Sequence, residues 1–345
     1  MQGNSSKWMY AAMTIFCMGL IASAAHAQEN ANVAGGVVFD PAKVVGSDKC
    51  AECHQKEIGA WKQTPHFATW DTLHRKPEAR KIAEAMDVRS IKRGDVCIKC
   101  HYTRQGEDAK AISGISCESC HGPAADWISI HNDYGGEGVT KEQETAEHKK
   151  MRLRNAIGAG MLHPSTIYLV AQNCYNCHTV PNEKLVDVGG HAAGSDDFEL
   201  VSWSQGMVRH NYLRTGGDSN AAESQEYLRV MYVVGVMTDV EYSLRGIAKA
   251  TVGKTYARSM AQRANKMRNH LKEINEAAPN PHFAAAVEAA FSAGLKLNNE
   301  AALTAAADRV RDAAMAFATE ADGSKLAAVD KWVPKPDQYK GAPTP

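Results

Sequence analysis

The chain has 345 residues, enough for two domains that each bury a core, and its 39 basic residues are balanced by 39 acidic ones. That neutrality removes the electrostatic footprint expected of a nucleic-acid-binding protein, and no stretch after residue 28 is apolar for long enough to span a bilayer. Cysteine usage is more informative: of nine cysteines, Cys17 lies in an amino-terminal apolar run and the other eight fall in four C-x-x-C-H motifs.

Lys7, the apolar residues 8–25 and the small-x-small triplet Ala25-His26-Ala27 predict a secretory signal peptide cleaved near Ala27, hence an exported, periplasmic protein. Phe16 is too bulky for a lipoprotein box ahead of Cys17. Residues 28–48 read as a loose lead-in to the first motif, Cys50-Ala51-Glu52-Cys53-His54. Thr64-Pro65-His66 then has an N-cap residue followed by proline at the first helical position, which places His66 at the exposed start of a helix. Pro77 closes that helix and residues 78–86 compose another.

The second motif is Cys97-Ile98-Lys99-Cys100-His101 and the third Cys117-Glu118-Ser119-Cys120-His121, with a glycine-containing loop or short hairpin between them. Trp127-Ile128-Ser129-Ile130-His131 sets apolar side chains beside a histidine, as a ligand packed on a porphyrin face requires. Residues 139–153 interleave acids and bases at helical spacing and read as a solvated helix without chemistry. His163-Pro164-Ser165 is a turn signal, and residues 166–173 run helically into the fourth motif, Cys174-Tyr175-Asn176-Cys177-His178. The glycine-rich loop 188–197 is flexible enough to bring His191 against a metal, and residues 198–213 return to a helical pattern that includes Trp203 and His210.

Residues 222–249, 253–274, 281–296 and 299–320 each show helical periodicity, contain no cysteine and are joined by short breaks, which predicts an antiparallel bundle. The proline-containing tail 334–345 should lie extended across a surface. The predicted organisation is therefore a leader (1–27), a haem-binding domain (28–219), a helical bundle (220–333) and a tail (334–345), in a mainly α, loop-rich fold.

In a C-x-x-C-H motif the two thiols add to the vinyl groups of a haem and the histidine binds its iron. Four such motifs predict four covalently bound haem c groups, attached at Cys50 and Cys53, Cys97 and Cys100, Cys117 and Cys120, and Cys174 and Cys177, with His54, His101, His121 and His178 as proximal ligands. Zinc is the competing reading, since Cys97, Cys100, Cys117 and Cys120 fit a structural zinc spacing, and disulfide pairing is another; neither requires the four histidines. Thirteen histidines follow the leader, and of the nine outside the motifs, His148 lies in the charged segment, His270 and His282 in the bundle, and His74 beside Arg75 and Lys76 near a helix end. His66, His131, His163 and His191 lie near a motif, at loops or helix starts, and are the candidate sixth ligands; His210 is held in reserve.

The pieces Lys49-Cys50-Ala51-Glu52-Cys53-His54, Trp61-Lys62-Gln63-Thr64-Pro65-His66 and Gly114-Ile115-Ser116-Cys117-Glu118-Ser119-Cys120-His121-Gly122-Pro123, with His131 ten residues beyond His121, resemble the tetrahaem cytochrome c-554 family. The resemblance covers residues 49–178 and implies close-packed haems whose sixth ligands are exchanged between motifs: His131 for the first haem, His66 for the third and His163 for the fourth. The second haem, on His101, resembles one left five-coordinate in that family, although His191 or His210 could close it here. The function implied is electron transfer between redox partner proteins, preferred to the alternative of a reductase acting on a small nitrogen or sulfur oxide species at an open second haem. The bundle would then serve docking or dimerisation.

Overall fold

Val230, Val233, Val234, Val236, Met237, Val240 and Leu244 leave no polar stripe on the helix Gln225–Lys249, so that helix has to be surrounded. The computed structural model, which describes residues 39–195 and 197–345, surrounds it with the helices Thr255–Ala277 and Glu300–Glu320 on the bundle side and Ile167–His178 on the other. Ser224 caps its start by accepting from the Tyr227 amide. Pro281–Ser292 completes the bundle, capped by Asn280; Ala286, Ala289, Ala290, Ala306, Ala307 and Ala314 let the backbones approach, and Phe283 meets Phe317 edge to face at 4.7 Å. The predicted leader and Cys17 lie outside the described residues.

Buried charges on the central helix join it to the fourth motif. Asp239 takes a two-pronged ion pair from Arg263 at 2.6 and 2.8 Å, and Arg263 also donates to the Ser195 carbonyl at 2.9 Å. Glu241 accepts from Tyr168, in the first turn of the helix of the fourth motif, at 2.7 Å and from Arg245 at 2.9 Å. One apolar cluster accordingly runs from Ile167 through Tyr175 and Leu200 to Val333.

Residues 39–166 are built differently, from short helices and loops around two small apolar clusters. Thr64 caps the helix Pro65–Thr72 through the Phe67 amide, as its Thr-Pro entry predicts, and Pro77–Ala85 follows. The second and third motifs close the helices Asp95–His101 and Cys117–His121, and the expected hairpin lies between them, Thr103–Gln105 pairing antiparallel with Lys110–Ser113.

Two stretches depart from their sequence pattern. The charged segment turns helical only at Ala146, in the helix Ala146–Gly158, and Arg152 is buried in an ion pair with Glu144, just ahead of that helix, rather than solvated. In residues 198–213 only Leu200–Ser204 is α-helical before a short 3-10 turn, Tyr212–Thr215. The interruption falls at Gly206, where a Cβ would stand 2.4 Å from the Lys340 carbonyl oxygen. The tail crosses there: the Lys340 amide donates to Ser202 and the Met207 amide donates to Lys340. No helix among the described residues is long and apolar enough to cross a membrane.

Candidate metal centres

The motif histidines are presented in two ways. His54 starts the helix Gln55–Trp61, whereas His101, His121 and His178 each end a helix. The His121 ring nitrogen Nδ1 donates to the Leu162 carbonyl at 3.0 Å while its own carbonyl accepts from the Leu162 amide at 2.9 Å, so the two segments lock reciprocally. Gly122 permits that approach with φ +84°, its Cβ position being 2.4 Å from the Gly160 oxygen. His178 stacks on Phe198 at 4.2 Å with Trp203 edge-on at 5.0 Å, which fixes the plane of its imidazole.

The structure sets one further histidine opposite each of these four. Ring centres are 6.3 Å apart for His54 and His131, 6.2 Å for His66 and His178, 6.3 Å for His101 and His191, and 6.0 Å for His121 and His210. Two imidazoles on one metal ion, with bonds of about 2.0 Å and roughly 1.1 Å from each nitrogen to its ring centre, place those centres about 6.2 Å apart. Each opposed pair therefore leaves the span of one ion between its rings, and each contains one motif histidine. That is the fit expected of haem iron held from both faces.

Hydrogen bonding selects the nitrogen on offer. Nδ1 of His121, His131, His191 and His210 meets a backbone carbonyl, of Leu162, Ile128, Ala192 and Val208 respectively, at 2.6 to 3.0 Å. A carbonyl only accepts, so Nδ1 carries the proton and Nε2 keeps a free lone pair. Burial favours the neutral ring that a metal needs: it pushes His101, His121 and His178 down to about 4, and it lowers His66 and His131.

The pairing differs in part from the resemblance. His131 faces His54 as implied, but His66 faces His178 of the fourth motif and not the third. His66 is carried there because Gly114 and Ile115 receive the turn that bears it: the Ile115 amide donates to the His66 carbonyl at 3.1 Å, and a Cβ on Gly114 would meet that oxygen at 2.3 Å. His191, one of the two candidates for closing the motif that the resemblance leaves five-coordinate, stands opposite His101. His163 faces none of the four motif rings; its Nδ1 accepts from the Ser165 amide at 3.1 Å and contacts the Ser165 hydroxyl at 2.8 Å, so the ring braces the turn into the helix Ile167–His178. His210, the reserve candidate, occupies the place opposite His121.

The charged segment also proves relevant. Glu144 takes both His148 and Arg152, and Arg152 donates in turn to the His131 carbonyl, fixing the end of the short helix Ile128–His131. His148 and Arg152, four residues apart on one helical face, were the available signal, and Glu144 reaches both from just before the helix.

Two thiol contacts join the motifs. Cys50 lies within hydrogen-bonding reach of Cys117, and Cys100 of Cys177, so the first motif abuts the third and the second abuts the fourth. Glu118 supports the first junction from beneath. Its buried carboxylate accepts from the amides of Val45, Gly46 and Ala124 at 2.8 to 2.9 Å. All eight motif cysteines are unpaired, and no group of three or more cysteine, histidine or acidic side chains converges among the described residues as a zinc centre would require.

Thiol pairs each followed by a histidine that stands opposite a second imidazole define a c-type cytochrome, whose cofactor is haem c bound covalently to those thiols. Residues 49–122 match the family described as cytochrome c554 and c-prime. The chain is 28% identical to the cytochrome c-554 of Nitrosomonas europaea over 100 residues, which is 26% of this chain and 43% of that relative. It thus spans less than half the length of that relative. No solved structure matches the chain.

Proposed function

We propose that this protein is a periplasmic electron carrier with four haem c groups, each iron closed by two histidines: His54 with His131, His101 with His191, His121 with His210 and His178 with His66. The observation that carries this reading is the set of four opposed imidazole pairs at 6.0 to 6.3 Å, one per motif. Bound haem c supplies one-electron exchange between ferric and ferrous iron, with potentials held low by bis-histidine ligation relative to a methionine ligand. The chain's own residues orient the rings, keep them neutral and bring the attachment sites together in the pairs Cys50 with Cys117 and Cys100 with Cys177. A donor and an acceptor protein are the partners, and export by the predicted leader supplies the compartment.

Reduction of a small nitrogen or sulfur oxide at the second haem would need His101 without an opposing imidazole, and His191 stands 6.3 Å from it. Electron paramagnetic resonance of the oxidised protein should show low-spin ferric signals only, and the holoprotein mass should exceed the polypeptide mass by four haems. A mass short of four haems, or a high-spin signal in the untreated protein, sinks the reading. His191→Ala should create a high-spin signal, whereas His163→Ala should leave the resonance spectrum unchanged.

A further inference from the structure

Among the eight opposed histidines, His210 is the exposed one, and it belongs to no helix. What holds it comes from elsewhere in the chain. Asn220, 8% exposed, uses its carboxamide on both sides of that histidine: Oδ1 accepts from the Asn211 amide at 2.9 Å and Nδ2 donates to the Arg209 carbonyl at 2.8 Å. The same Nδ2 donates to the Thr344 carbonyl at 2.7 Å, so one side chain joins the His210 segment to the tail. Four residues earlier the tail pairs with the same segment, Lys340 donating to Ser202 at 2.9 Å and accepting from Met207 at 3.0 Å. Two glycines make room for the crossing. A Cβ on Gly206 would stand 2.4 Å from the Lys340 oxygen, and one on Gly341, at φ +71°, would stand 2.5 Å from the Met207 methyl. The Tyr212 hydroxyl completes the junction by donating to the Pro345 carbonyl at 2.6 Å.

We propose that residues 336–345 form a strap that holds His210 on the third iron through the positioning residue Asn220, and that this iron is therefore a latent site for a small neutral ligand such as carbon monoxide. The inference rests on the assignment of His121 and His210 to one iron. His66 and His131 ride on helices, and His191 lies in a loop whose amide is held by the Leu185 carbonyl at 3.1 Å. Of these four, His210 is the one whose flanking residues are tied to the tail, so loosening the tail should free one sixth position and leave three closed.

Carbon monoxide added to the dithionite-reduced holoprotein tests this by optical titration, with haem content checked by mass in every variant. The unaltered protein should take up none, His210→Ala should take up one equivalent per four haems, and Asn220→Asp should take up a fraction of one. Gly206→Val, which displaces Lys340 by a different route, should behave like Asn220→Asp. His210→Ala combined with Asn220→Asp should bind no more than His210→Ala alone, because both act at one iron. Failure of His210→Ala to bind carbon monoxide would overturn the ligand assignment itself. With His210→Ala binding, an absence of uptake in both Asn220→Asp and Gly206→Val, or extra uptake in the combined variant, would overturn the strap alone.

Discussion

The two ends of the described chain solve the problem of burial in opposite ways. Between residues 225 and 333 the helices enclose a continuous apolar core in which Leu271, Ile274, Phe283, Leu303 and Val310 are wholly buried. Between residues 39 and 166 the two apolar clusters contain only four and three buried side chains, and the backbone is held by directed hydrogen bonds that Thr69, Thr103 and Asn173 donate and Glu118 accepts. A core that small cannot offset the conformational entropy of ordering so long a stretch, whereas the bundle's core can. The metal-binding portion therefore relies on what its cysteines and histidines hold, and the bundle does not.

Withholding haem should break the molecule along that line, with the largest effect of any change considered. A protein in which all eight motif cysteines are alanine is expected to keep amide protection in residues 225–320 and to lose it in residues 47–166. Hydrogen exchange followed by mass spectrometry resolves both. Uniform protection, or uniform loss, would show that the two regions do not differ in what holds them.

The reverse experiment acts on the bundle. Phe283 is completely buried against Phe317, and Phe283→Ala should cost about 3 to 5 kcal/mol through lost transfer energy and a residual cavity. Calorimetry should show the bundle melting earlier, while the haem absorption bands stay unchanged at room temperature. A spectral change at the irons would mean that the core of the bundle is continuous, in energy as well as in contact, with the fourth motif.

The same contrast governs what could be read from the sequence. The bundle was legible because its helices announce themselves by apolar period, and the motifs because four C-x-x-C-H units consume every cysteine outside the leader; the entry Thr64-Pro65 was equally plain. The partners of the motif histidines were harder to read. His66 meets His178 and His121 meets His210 across long stretches of chain, and no local pattern encodes which imidazole crosses to which motif. His163 has the local look of a ligand, a half-buried histidine before a motif helix, yet its Nδ1 is taken by a serine two residues on. Residues 198–213 carry a helical pattern that the tail overrides at Gly206, again a contact far away in sequence.

Glu118 offers the smallest and most local test of the comparison. It lies inside the third motif, is 1% exposed, and spends its two oxygens on three backbone amides, those of Val45, Gly46 and Ala124. Glutamine has the same shape but one acceptor oxygen, so Glu118→Gln turns an NH2 group toward at least one of these donors and leaves it unpaired in a buried place, at a cost of about 1 to 3 kcal/mol. If directed hydrogen bonds hold this region segment by segment, the loss should surface as faster exchange at Val45, Gly46 and Ala124, with the bundle's melting temperature unmoved. If the bundle instead melts earlier by a matching amount, residues 39–166 unfold together with it, and the division between a bonded half and a packed half fails at its most sensitive point.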